Sequence, residues 1–156
     1  MASMDGLKKS GADTKGNLQK GIEEITRMGD DFQGVKDQLQ GMPEGLDADI
    51  VAAIKEAEDT GRAEASEDIE AARSSIIDQA KSSADTIRSD VQSKISENKT
   101  AQGKLDGISS KYGKGAIDRA KSAIADNTRM GEDLISDLEN AVKAADQGVK
   151  DVKDRL

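Results

Sequence analysis

Apolar positions in the first quarter of the chain recur by threes and fours: Met4, Leu7, Gly11, Thr14, Leu18, Gly21, Ile25, Met28, Phe32, Val35, Leu39 and Met42. That spacing is a heptad seam, the pattern that keeps one helix face against a neighbour in a left-handed coiled coil. It predicts a helix over about 4–42. The seam is thin at its start, where Gly11, Thr14 and Gly21 offer little surface to bury. Each interior glycine also costs a helix about 1 kcal/mol relative to alanine. The first 15 or so residues are therefore expected to fray, or to order only on a partner. Gly41-Met42-Pro43-Glu44-Gly45 interrupts the pattern, because Pro43 disfavours helical geometry at Met42 and the glycines permit positive φ. A turn over 43–46 follows, with Asp47 placed to cap the next helix through its carboxylate.

The middle of the chain keeps a different beat. Ile54, Ala65, Ile76 and Ile87 lie eleven residues apart, as do Ile69, Ala80 and Val91. Eleven residues fill three turns at 3.67 per turn, so this stripe runs nearly straight or drifts right-handed. It predicts a long helix from Asp47 to about Gln102, or on to Tyr112. Gly103, Gly107, Gly113 and Gly115 mark a second interruption. Heptads then return over about 116–155, in one row of Ile117, Ile124, Gly131, Leu138, Ala145 and Val152. A second row holds Lys121, Thr128, Ile135, Val142, Val149 and Leu156. The segment Thr26–Phe32 (TRMGDDF) is echoed by Thr128–Leu134 (TRMGEDL), and Gln33–Asp37 (QGVKD) by Gln147–Asp151. The two offsets differ, so the echo points to similar roles for the first and last helices and not to a clean duplication.

Composition agrees with helices that pack in narrow seams. Leu, Ile, Val and Phe make up roughly 18% of the 156 residues, low for a thick core. One Phe, one Tyr and no Trp leave no aromatic mass. The 23 Lys and Arg against 31 Asp and Glu give a charge-rich chain of net charge −8, which suits salt-bridge-laced helix surfaces. A single proline permits long helices. The acids concentrate between Asp47 and Glu70, where nine stand against Lys55 and Arg62.

Candidate chemistry is sparse. No His and no Cys means no Ser–His or Cys–His pair, no disulfide and no preferred zinc ligand. Carboxylate pairs such as Glu23-Glu24 and Asp30-Asp31 lack the apolar surroundings that would raise a pKa for acid catalysis. Asp47-Ala48-Asp49 opens like a calcium loop, but the glycine and terminal glutamate of such a loop are not at their spacings. No Gly-rich phosphate loop is present. A basic, aromatic-interleaved patch for nucleic acid is missing as well. The reading is a protein without catalytic residues, metal or cofactor. Residues Met1–Ser10 lack the apolar stretch of a signal peptide, and the longest apolar run, Ile50–Ile54, is far too short to span a bilayer. A cytoplasmic location, or export without a cleavable signal, is expected.

Two resemblances bear on role. The Ala-rich eleven-residue repeats resemble those of amphipathic lipid-surface and late-embryogenesis-abundant proteins, although an acidic polar face without bulky anchors argues against a membrane. Leu39-Gln40-Gly41, at the first turn, resembles the Leu-X-Gly or Trp-X-Gly tripeptide between the two helices of the WXG100/LXG group of type VII secretion substrates and companions. About 60 residues around the turn carry this likeness. It implies a helical hairpin working as a homodimer or heterodimer and exported without a cleaved signal. The chain departs from that group in having no Trp and in lacking its Tyr-X-X-X-Asp/Glu signature, since Ala116 follows Tyr112 at that spacing.

The expectation is thus an all-α protein: one elongated domain over 1–156, built as a coiled-coil-like helical bundle or hairpin. Its expected function is that of a non-enzymatic interaction or scaffold module, self-assembling or binding a helical partner. The alternative is a lipid-surface or stress-protective protein. The seams would supply the partner contacts: Ile25, Met28, Phe32, Val35 and Leu39, with Ile135, Leu138, Val142, Val149 and Val152.

Overall fold

The computed structural model describes residues 3–42, 45 and 47–156. Of the described residues 93% are helical, and the helices pack into an all-α bundle. Helix α1 spans Met4–Gln40, α2 spans Ala48–Arg73, a π-helical turn covers Ser74–Asp78, α3 spans Gln79–Ile108 and α4 spans Lys114–Arg155. The π turn joins α2 to α3 without a break, so the backbone is helical from 48 to 108. Three long helices result.

Pro43, Glu44 and Leu46 of the first turn lie outside the described residues. Gly45 takes φ 80°, the left-handed conformation that glycine adopts without penalty. Asp47 caps α2 differently from expectation. Its side chain makes no capping hydrogen bond. Instead its backbone carbonyl accepts from the amides of Ile50 and Val51, at 3.0 and 3.1 Å.

Packing divides the chain into two compact units. Unit one comprises the chain up to Lys15 with Lys81–Ala141. Its core is Met4, Leu7, Ile87, Val91 and Leu138, with Ala84, Ile95, Met130, Leu134 and Ile135 packed around them. Within this unit α1 and α4 run parallel, with Met4 near Gly131 and Leu134 and Leu138 near Gly11. The α3 helix runs antiparallel to α4, as the pairs Arg88–Glu139, Asn98–Thr128 and Asp106–Lys121 show.

The expected fraying of the first 15 residues is not what the structure has. Met4 and Leu7 are buried, and Thr14 is buried with its hydroxyl donating to the Ser10 carbonyl at 2.9 Å. The reason lies in the glycine that looked weak. A Cβ on Gly11 would stand 2.7 Å from Leu134 Cδ1, so the missing side chain is the space that Leu134 fills. The burial that Gly11 does not contribute is contributed by Leu134 on the facing helix.

Unit two comprises Gly16–Ala80 with Val142–Leu156. Leu18, Ile25, Phe32, Ile69, Ile77, Ala80, Val142, Ala145, Val149 and Val152 are its buried apolar residues. Here too glycines serve as sockets. Ile76 occupies the space beside Gly21, and Val152 Cγ1 would lie 2.6 Å from a Cβ on Gly29. The inner line of α1 therefore runs through Gly21, Ile25, Gly29 and Phe32, while Met28 is only half-buried. Two successive steps of four replace the heptad alternation there, a local stutter. In unit two α1 and α4 run parallel, Ile22 meeting Gly148 and Gly29 meeting Val152, with α2 antiparallel to both.

Candidate interaction surface

Most of the ten seam residues expected to meet a partner are spent inside the chain. Ile25, Phe32, Leu138, Val142, Val149 and Val152 are buried. Met28, Leu39 and Ile135 are half-buried, and only Val35 stands open. Helices α1 and α4 do carry seams, and in this structure those seams close largely on the chain's own helices.

The open apolar surface is elsewhere. Among the described residues, the large hydrophobic side chains left exposed are Val35, Met42, Ile50, Val51, Ile108 and Tyr112, from 37% exposed at Val51 to 61% at Tyr112. The first four flank the turn between α1 and α2. The last two flank the turn between α3 and α4.

Geometry accounts for the first group. In unit two, Phe32 packs beside Gly61, and Lys36 reaches Glu58. The backbone carbonyl of Leu156 accepts from Arg62 Nε at 2.9 Å and from Lys36 Nζ at 3.5 Å. The inward stripe of α2 runs on through Ile54, Val51 and Ile50, which thin from half-buried to exposed. The second group sits in unit one, past the level of Met4, where α3 pairs with α4 through Asn98–Thr128 and Asp106–Lys121. Ile117 is still buried there, while Ile108 and Tyr112 are not.

The two turns carry opposite charge. Residues 35–59 hold seven acids (Asp37, Glu44, Asp47, Asp49, Glu56, Glu58, Asp59) against Lys36 and Lys55, a net −5. Residues 97–121 hold six bases (Lys99, Lys104, Lys111, Lys114, Arg119, Lys121) against Glu97, Asp106 and Asp118, a net +3 in an acidic protein. Asp106 pairs with Lys121 and raises the pKa of that ammonium, by hydrogen bonding first and by charge second. Lys99, Lys104, Lys111 and Lys114 make no ion pair among the described residues.

A polar groove in unit two has a different character. Glu70, Arg73, Asp146, Lys150 and Lys153 line it. Arg73 meets Asp146 at 2.8 Å and Glu70 at 3.3 Å, and Lys153 meets Glu70 at 2.9 Å. The Lys153 ammonium, donating to the Glu70 carboxylate, holds that carboxyl below the ordinary glutamate value. Asp146 likewise pushes the Arg73 guanidinium up. These charges satisfy one another across helices, so the groove reads as a clasp between α2 and α4 and not as a reactive site.

Sequence reasoning missed Ile50, Val51, Ile108 and Tyr112 as surface candidates. A signal was available. Ile50–Ile54 is the longest apolar run, and it lies in the most acidic stretch, where few neighbours could cover it. No family model, no curated protein and no solved structure matches the chain. No described helix is long and apolar enough to cross a membrane.

Proposed function

We propose that this chain is a non-enzymatic helical interaction or scaffold module that self-assembles or binds a helical partner. One observation carries the reading: among the described residues, the large exposed hydrophobics lie in or near the two interhelical turns, while the seam between the helices is largely filled from within. Apolar side chains gathered at a few places on an otherwise charged surface mark sites that bind other macromolecules. The Leu39-Gln40-Gly41 likeness to the WXG100/LXG group supports a secretion-associated setting for such a module, as substrate or adaptor.

Light scattering coupled to size exclusion tests the reading. The expected result is a mass above the 16.5 kDa of one chain, or a rise in mass when a partner helix is added. A one-chain mass at every concentration, with a melting temperature indifferent to every helical protein offered, would overturn it.

A further inference from the structure

Resting on the reading of the chain as an assembly module, we propose that its partner is a second copy, docked by placing the basic α3–α4 turn of one molecule on the acidic α1–α2 turn of the next. Two observations on different residues converge on this. Both turns expose apolar side chains, Met42, Ile50 and Val51 on one and Ile108 and Tyr112 on the other. Their charges are opposite, −5 over 35–59 against +3 over 97–121.

Charge decides which surfaces meet. Two copies joined through like turns would oppose acid to acid or base to base, which suppresses that pairing. Joined through unlike turns, the exposed Asp49 and Glu56 of one copy face the exposed Lys104 and Lys111 of the other, around an apolar centre. Such a contact is heterologous, because the two surfaces differ. Every joined pair retains one acidic and one basic turn, so association continues until a ring closes or a filament extends.

The experiment uses two variants of the full chain. Asp49→Lys with Glu56→Lys removes the acidic surface, and Lys104→Glu with Lys111→Glu removes the basic one. All four side chains are exposed. Circular dichroism melts confirm that each variant folds. Mass is read by light scattering between about 0.01 M and 1 M NaCl, where the Debye length falls from about 30 Å to about 3 Å. The wild type is expected to exceed one chain at low salt and to lose mass as salt rises. Each variant alone is expected to remain a single chain. Mixed in equal amounts, the two should associate again, because each retains one intact turn that the other complements and the charges reversed in one variant also complement those reversed in the other. Two results sink the docking. If wild type and both variants assemble equally, self-assembly stands but uses another surface. If the wild type is a single chain at every salt concentration, the partner is a foreign helix and not a second copy.

Discussion

A glycine in the middle of a helix is usually counted as a defect, and in α1 that accounting holds at some positions and reverses at others. A Cβ on Gly16 or Gly34 would meet nothing within 4 Å, so Gly16→Ala and Gly34→Ala should each stabilise by up to about 1 kcal/mol through helix propensity alone. Gly21 and Gly29 have the same propensity deficit but hold Ile76 and Val152 in the space a side chain would need. Alanine there overpacks the interface, at a cost of roughly 1–3 kcal/mol, so the net sign is destabilising. Thermal melts of the four single variants give the comparison. If all four raise the melting temperature together, the sockets are not tight. The Glu70–Lys153 pair makes a prediction of a different kind. Because the folded-state pKa of Glu70 is depressed, its contribution is complete above the ordinary glutamate pKa of about 4.3 and is lost as pH falls through the lower folded value. Lys153→Met keeps the aliphatic stem and removes the charge. The melting-temperature gap between it and the wild type should be largest near neutrality and should close as pH falls below that range. A gap constant with pH would show that Lys153 acts through packing.

At the scale of whole elements, the heptads and the eleven-residue beat made the helices and the two interruptions legible, because an apolar stripe repeats many times and each repeat restates the period. What the stripes could not convey is depth. Ile76 and Ile77 look equivalent as isoleucines, and the eleven-residue beat picks Ile76. The π turn over Ser74–Asp78 adds width to the helix at this point and turns both inward, so Ile77 is fully buried while Ile76 fills the socket at Gly21. A single-residue register shift of this kind leaves no mark in composition. The same limit explains the candidate surface, since Ile25 and Val35 occupy one seam in the sequence. In the structure Ile25 is fully buried while Val35 is 54% exposed, a difference in depth that the shared period does not carry. Ile77→Ala should accordingly cost about 2–5 kcal/mol, the range for deleting a well-packed isoleucine. Ile54→Ala, on the same helix where the stripe emerges into solvent, should cost well under half of that. Urea denaturation of both variants supplies the values, and equal losses would mean that the α1–α2 turn is as firmly packed as the middle of unit two.

For the molecule as a whole, the boundaries of the two units matter more than their separate cores. They fall at Lys15/Gly16, Ala80/Lys81 and Ala141/Val142, and each lies inside continuous helix with no linker. Independent domains are ordinarily divided by exposed, flexible segments. Melting one unit here would fray helices that the other unit also uses, so a single cooperative transition is expected. Coincident curves from backbone circular dichroism and from tyrosine emission would meet that expectation, and two separated steps would contradict it. The tyrosine signal has a further use. With one Tyr and no Trp, emission excited beyond the absorption of the single Phe comes from one phenol ring, that of Tyr112, 61% exposed at the α3–α4 turn. The protein thus carries its own site-specific fluorophore. Quenching by a dissolved collider such as iodide, and the rate at which the emission depolarises, report the surroundings of that one turn without any dye or label.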